Sequence, residues 1–344
     1  MSGRGTSSLA GRRLPRWAPA GLAGVAVAVT ALLLAVTPVG GRAGALVVLA
    51  LAYAGLVTGT SFAVEGRRKA VDRLGRLLVG GAVLAAVAPL VAVLGYTIAR
   101  GAHRLNAGFL SHSMRGVGPL DTNGGIYHSL IGTLEQVGLA VVIAVPLGLL
   151  TAVYVTEFGG GRLAAATRFV VDVMTGIPSI VAGLFVLAFW VIGLHRGFSG
   201  FAAALALAIL MLPVVVRSSE EMIRLVPDAL REASYALGVP RWKTVVSVVL
   251  PTASAGITTG VMLAVARVTG ETAPLLLTAF GFDSIRTSPF RAPQSGLPLY
   301  VFDQATSSAK GAVDRAWGAA LALILVVVAL YAIARLLTRR NRLV

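Results

Sequence analysis

Long apolar runs separated by short arginine-rich stretches constrain this 344-residue chain more than any other feature. A helix needs roughly 20 apolar residues to cross about 30 Å of hydrocarbon. Eight runs reach or approach that length, at 20–36, 44–64, 78–99, 126–155, 167–193, 200–216, 248–279 and 317–337. None alternates apolar and polar residues with period two, which argues against a transmembrane barrel. Charged residues make up only 13% of the chain and the set AVILMFWYC 56%, whereas a soluble domain is about one quarter charged. The sequence predicts an all-α polytopic membrane protein of about eight transmembrane helices.

Thirty Lys and Arg against fourteen Asp and Glu leave a formal net charge of +16. A nucleic-acid binder would gather such charge on a wetted surface; here it punctuates apolar runs, as membrane loops do under the positive-inside rule. With the N-terminus inside, the cytoplasmic segments carry twenty of the basic residues and the external segments nine, leaving Arg267 within a span. Both termini are therefore expected in the cytoplasm. Arg4, Arg12, Arg13 and Arg16 precede a short first run, a pattern shared with signal peptides, but a second apolar run follows within about ten residues and favours a retained signal anchor. The cluster Arg67, Arg68, Lys69, Arg73 and Arg76 reads as a solvated loop near anionic headgroups. It divides residues 1–75, an N-terminal segment with an accessory two-helix hairpin, from a six-span core over 76–344. Two external loops, about 100–125 and 280–316, are long. The second, with Pro289, Pro293 and Pro298, is expected to be a semi-ordered docking surface.

The cytoplasmic loop of about 217–251 holds a punctuated segment. Pro227-Asp228 is a good helix start, Asp228 being suited to capping free amides at the positive dipole end. Gly238 and Pro240 stop that helix after about three turns. Leu230, Ala233 and Leu237 recur at helical spacing, giving an apolar face of the kind that seats in a partner's groove. Glu232-Ala233-Ser234, three residues, Gly238, nine residues and Val248-Val249-Leu250-Pro251 resemble the EAA loop of bacterial ABC importer permeases, with Ser234 and Val248 as mild departures. The resemblance implies that Glu232, Ala233 and Gly238 belong to a coupling helix seated in a nucleotide-binding subunit.

Further stretches narrow the family. His128 to Leu134, Pro146-Leu147-Gly148, Tyr154 to Phe158, Gly176 to Phe185 and Arg267 to Leu276 are similar to signatures of phosphate importer permeases, specifically the PstA-type subunit of the high-affinity importer. Together they cover about residues 75–340; the first two spans lie outside the six-span pattern. The resemblance implies a PstC-type sister permease, a PstB-type ATPase dimer and a PstS-type external phosphate-binding protein as partners, within the bacterial inner membrane and its lipid. It implies no cofactor on this chain, ATP and magnesium being used by the ATPase.

Arg267 lies about 24 Å along its helix from Pro251, in the outer half of the core, and Glu271 follows at i+4 on the same face. An unpaired Arg at that depth costs at least about 2.5 kcal/mol, so it should face a partner or a wet cavity. A guanidinium matches two oxygens of a phosphate. Arg267 is expected to attract the anion transiently and Glu271 to mask that charge, roles the resemblance also carries onto these positions; the competing reading is a permanent ion pair. Thr269 and Ser179, inside two of the signatures, complete the candidate path. Glu135, about 13 Å inward from Ile126, lies at similar depth. It is either a second partner for Arg267, which no family pattern suggests, or a carboxyl turned to water or a helix interface. Arg168 and Asp172 are expected to brace a helix end as an i,i+4 pair. Pro146, Pro178, Pro213, Pro251 and Pro274 fall in or beside spans and can kink them, and Gly256 to Gly260 form a GxxxG pattern permitting close helix contact.

Other chemistries find little support. No GxxxxGK[ST] loop is present, so ATP hydrolysis falls to a separate motor. Cysteine is absent, which removes disulfides and thiolate sites. His103, His112, His128 and His195 lack paired metal spacing and read as external or loop-edge side chains. Gly197-Phe198-Ser199-Gly200 resembles the serine string of rhomboid proteases, but no histidine base follows it. A permease of the same architecture for sulfate, molybdate or phosphonate remains open, because composition does not separate these anions.

Overall fold

The computed structural model describes residues 14–15, 17–36, 41–118 and 120–340; Arg4, Arg12, Arg13 and Arg16 lie outside them. Among the described residues seven helices are long and apolar enough to cross a membrane. A bent pair brings the number to eight if it counts as one span. The chain divides into two compact units, residues 1–94 and 95–344.

The first unit holds α1 (Ala18–Val36), α2 (Gly41–Glu65) and most of α3 (Arg67–Gly101). Gly66, at φ +88°, makes the turn between α2 and α3, a conformation that costs an L side chain energy. Beside it the buried Glu65 carboxylate accepts from Leu14 N and Ser61 Oγ, both at 2.9 Å, and pairs with Arg73 at 2.8 Å. The basic cluster is thus the first turns of α3 and not a loop: Arg73 is held by Glu65, and Arg76 pairs with Asp72.

The second unit begins with α4 (Ala107–Ser111), where Asn106 Oδ1 accepts from Phe109 N at 2.8 Å. Then come α5 (Tyr127–Val153), prolonged by a π-helical turn Tyr154–Phe158, α6 (Arg162–Thr175), and α7 (Ser179–Val186) with its own π-helical turn Leu187–Gly193. The run predicted as a fifth span is two helices bent by 106°. Pro178 forces the bend, since it disfavours helical backbone in the residue before it. Next are α8 (Gly200–Arg224), α9 (Asp228–Ala236), α10 (Arg241–Thr244) and, through a π-helical turn Val245–Val249, α11 (Leu250–Thr269). The run 248–279 also breaks: Gly270 ends α11, and α12 (Ala273–Thr278) is separate. The order closes with α13 (Leu297–Ala305) and α14 (Lys310–Arg340).

The core is built where α5, α8 and α11 meet. Ala140, Ala144, Ala203, Met211, Val215 and Ala264 are fully buried, and the small side chains permit van der Waals packing close to the backbones. The GxxxG pattern serves this purpose. A Cβ on Gly256 would lie 2.2 Å from Met222 Sδ, and one on Gly260 would lie 2.4 Å from Ser218, so the two glycines let α11 lie close against α8 with those side chains in place.

The two long loops are tied down by arginines. Arg104 Nη2 donates to Thr122 O at 2.5 Å, and the buried Arg315 donates to Asp121 O, Asn123 O and Gln304 Oε1 at 2.5, 3.0 and 2.8 Å. In the second loop residues 281–293 are irregular and exposed or half-buried, whereas Gln294 and Ser295 are buried and α13 follows directly, so the expected surface segment is limited to the first part of the loop and the rest belongs to the packed interior.

Candidate functional site

Helix α9 lies at the end of the bundle where α5 and α8 finish. Its boundaries follow from local chemistry. Pro227, in extended conformation, opens it, and Gly238 at φ +77° closes it, with Gly238 N donating to Tyr235 O at 2.9 Å and Val239 N to Ser234 O at 3.2 Å, a left-handed cap. Asp228 is not the cap the sequence suggests. It sits in the first turn, and its carboxylate accepts from Arg231 at 3.1 Å.

The two faces of α9 differ. Glu232, Ala233 and Gly238 are exposed, as are Leu230, Tyr235 and Leu237, the last at 83%. On the other side Ser234 is buried and shares a 2.8 Å hydrogen bond with Thr244 Oγ1, so the serine that replaces the second alanine of the EAA pattern fastens α9 to α10. Arg231 turns inward as well. It donates to Glu157 Oε1 at 2.8 and 3.2 Å, to Val226 O at 2.6 Å and to Ile223 O at 3.0 Å.

Arg168 and Asp172 do not pair with each other. Arg168 donates to Glu220 at 3.3 Å and to Val155 O at 2.8 Å, and Asp172 pairs with Arg217. Glu220 also accepts from Arg224 at 2.5 Å and Arg217 at 3.5 Å. Both acids therefore tie α6 to α8 instead of bracing one helix. Three guanidinium groups around a carboxylate only 3% exposed supply the compensation that a buried charge requires. Arg217 and Arg224 are helical neighbours of Glu220 in sequence, but nothing local points to the ties of Arg231 to Glu157 and of Arg168 to Glu220, whose partners are 74 and 52 residues apart.

Two helices that each open on a break, α7 and α12, pack on one another. Gly183 of α7 packs against α12, where an added Cβ would lie 2.8 Å from Pro274 Cα. Ser179 opens α7 directly after the first break, and Glu271 lies in the second. The expectation that Arg267 and Glu271 share one helix face is corrected. The helix ends at Thr269, Gly270 N and Glu271 N donate to Arg267 O and Val268 O, both at 3.2 Å, and Glu271 leaves the helical path. Among the described residues no ion pair joins Arg267 to Glu271. Arg267 is exposed, while Thr269 is buried and donates to Val265 O at 2.7 Å.

Glu135 does not meet Arg267 either. Its carboxylate accepts from Gln294 Nε2 at 2.5 Å, and Gln294 Oε1 accepts from Gln136 Nε2 at 3.2 Å. Ser129 Oγ donates to Ser295 Oγ at 3.0 Å, and Thr133 Oγ1 accepts from Leu297 N at 2.7 Å. Ser129, Gly132, Thr133 and Gln136 recur at helical spacing and form a small, polar stripe on α5. That stripe was the available signal that polar backbone packs there. Gly132 and Gly200 complete the seat: an added Cβ would fall 1.9 Å from Ser295 O and 1.9 Å from Gln294 Oε1 respectively.

His128 is corrected from an external position to a buried one, edge-on to Tyr300 with ring centroids 5.6 Å apart. Burial pushes the Tyr300 phenol up to about 12, against the opposing pull of Arg315 and Arg104. Beside it a cavity of about 460 Å³ is lined by Arg115, Asp283, Asp303 and Gln304 among others. Ser199 has a structural role. It is buried, and its Oγ caps α8 by accepting from Ala202 N at 3.2 Å.

Residues 144–343 match the family described as binding-protein-dependent transport system inner membrane component. The chain is 51% identical over 263 residues, 75% of its length and 85% of the relative's, to phosphate transport system permease protein PstA 1 of Mycobacterium tuberculosis. It is 46% identical to PstA of Mycobacterium leprae, over 77% of this chain and 87% of that one, and 43% identical to PstA of Xylella fastidiosa, over 64% and 76%. Among solved structures, a bacterial ABC transporter involved in alginate import matches 80% of this chain and 99% of its own with TM-score 0.53 at 15% identity. The inward-facing MetNI methionine ABC transporter matches 63% and 94% with TM-score 0.50 at 20% identity. These two show likeness of fold alone.

Proposed function

The chain belongs to the binding-protein-dependent inner-membrane transport components and, within them, to the PstA phosphate transport permeases, and on that premise we propose how it works. It is a membrane permease subunit of a phosphate importer and assembles with other ABC transporter components. Those components are a PstC-type sister permease that completes the path, a PstB-type ATPase dimer using ATP and magnesium, and a PstS-type external binding protein. Both termini face the cytoplasm, which puts α9 on the side of the ATPase.

One observation carries the reading: α9 presents Glu232, Ala233 and Leu237 outward while Arg231 and Ser234 hold it inward. A short helix that leaves apolar side chains in water yet is firmly anchored suits a seat in another subunit. ATP-driven closure of the ATPase pair moves α9 and tilts the spans so that the path opens outward; release of the hydrolysis products returns it. Phosphate then passes Arg267, Thr269, Glu271, Ser179 and Glu135. Support comes from the two helix breaks at Gly176–Pro178 and Gly270–Thr272, since non-helical backbone at membrane depth is tolerated only inside protein or along a watery cavity. Arg267 attracts the anion, and Glu271, freed from the helix, swings toward it when phosphate is absent.

The test is reconstitution in liposomes with the three partners, measuring uptake of labelled phosphate against sulfate and molybdate. ATP-dependent uptake selective for phosphate is expected. Uptake without the ATPase, or without preference for phosphate, overturns the proposal.

A further inference from the structure

We propose that Arg231 and Glu157 form the tie through which α9 moves the membrane helices, and that Glu220 passes the movement on to the bent pair α6–α7. The inference rests on the coupling role proposed for α9 and assigns the residues that make it effective.

Helix α9 has nine residues, too few to be stable alone in water. Leu230, Tyr235 and Leu237 are exposed, so apolar packing contributes little to holding it. Its inward anchors are polar, namely the Ser234–Thr244 hydrogen bond and the Arg231 guanidinium. Arg231 is 14% exposed at its side chain and Glu157 5%. The guanidinium reaches Glu157 at the end of α5 and the carbonyls of Ile223 and Val226 at the end of α8. One side chain of α9 thus grips two membrane helices at once. Arg is suited to this because its planar donors are fixed relative to one another.

From there the route continues. Arg168 of α6 donates both to Val155, two residues before Glu157, and to Glu220 of α8, while Arg217 joins Asp172 and Glu220. The ends of α5, α6 and α8 are in this way fastened to one another by charged groups. Helix α6 leads across the 106° bend to α7, which packs on α12 beside the break that holds Glu271. Glu232, the next residue on α9, makes none of these contacts and faces outward. Arg231 and Glu157 are positioning residues: they touch neither ATP nor phosphate.

The experiment uses the reconstituted complex and measures phosphate uptake and ATP hydrolysis together. Glu157→Gln and Arg231→Gln are each expected to lower phosphate moved per ATP by about tenfold, the scale of an ordinary coupling free energy, with ATP hydrolysis retained. Because the chain has no cysteine, Glu157→Cys with Arg231→Cys can be joined by a short reducible cross-link. The linked form should transport at a ratio close to wild type and lose it on reduction. A ratio unchanged in both single variants, or uptake abolished by the cross-link and restored by reduction, overturns the inference. Failure of the wild-type complex to move phosphate would instead count against the transport reading itself.

Discussion

Gln294 donates to Glu135 at 2.5 Å across 159 residues of chain, and at its other end accepts from Gln136 at 3.2 Å. A segment that sequence places outside the membrane is thereby seated against α5, with its polar groups satisfied by the serine, threonine and glutamine of a single helix face. Such groups are costly in an apolar setting unless paired. These bonds explain how Gln294 to Gly296 lies buried ahead of α13, with only a single bridge from Gln294 to Phe280 for regular backbone pairing.

The tightness of that seat is measurable. Gly132→Ala and Gly200→Ala each put a methyl group within 2 Å of the segment's backbone or of Gln294 and should destabilise the protein by about 1–3 kcal/mol. Gly138→Ala, where an added Cβ meets nothing within 4 Å, is the control. Thermal denaturation in detergent checks the pair against the control. Equal midpoints for all three would mean that the segment yields freely.

Arg267→Gln should reduce ATP-dependent phosphate uptake by about tenfold or more with normal membrane insertion, and Arg267→Lys should retain part of it, because Lys keeps the charge but not the bidentate fork. Uptake assays on the reconstituted complex read both. Full transport by Arg267→Gln would remove this residue from the path.

Glu232→Lys and Gly238→Pro should separate ATP hydrolysis from uptake while insertion stays intact. Gly238→Ala is the milder form, since a left-handed alanine costs about 1–2 kcal/mol where glycine sits at φ +77°. Hydrolysis and uptake measured together should show a graded loss of coupling, with alanine less affected than proline.

The Tyr300 phenol predicts an alkaline limit. Burial raises it to about 12 from an ordinary 10, so the folded state holds a proton that the unfolded state releases. The associated stability is fully present below pH 10 and declines between 10 and 12, by about 3 kcal/mol in all. Tyr300→Phe should abolish that portion of the pH dependence, followed by denaturation midpoints across this range. An unchanged profile would show that Tyr300 ionises as freely as an exposed tyrosine.

Much of the architecture was legible because membrane spans announce themselves by length and composition, and α9 by Pro227 and Gly238 at its ends. The family signatures gave the transport role, and the GxxxG pattern gave the close approach of α11 to α8. What sequence missed shares one physical origin. Arg168, Asp172 and Arg267 each have an oppositely charged residue four positions away in the chain, and local spacing pairs them with that neighbour. In the folded protein Arg168 and Asp172 reach across to α8, and the break at Gly270 carries Glu271 off the helix before it can align with Arg267. Arg315 belongs to the long loop that sequence places outside the membrane, where a charge would meet water, yet three oxygen acceptors let it be buried. Local spacing does hold for Glu220 with Arg217 and Arg224, but it carries no record of the cross-chain ties of Arg168 and Asp172.

Gly256 and Gly260 leave room for the Met222 and Ser218 side chains, so α11 lies close against α8. Helices packed this closely are expected to travel together as one strut, with a cycle of opening drawing its freedom from the helix breaks at Gly176–Pro178 and Gly270–Thr272. Stiffening those joints should therefore arrest the pump more completely than loosening the strut.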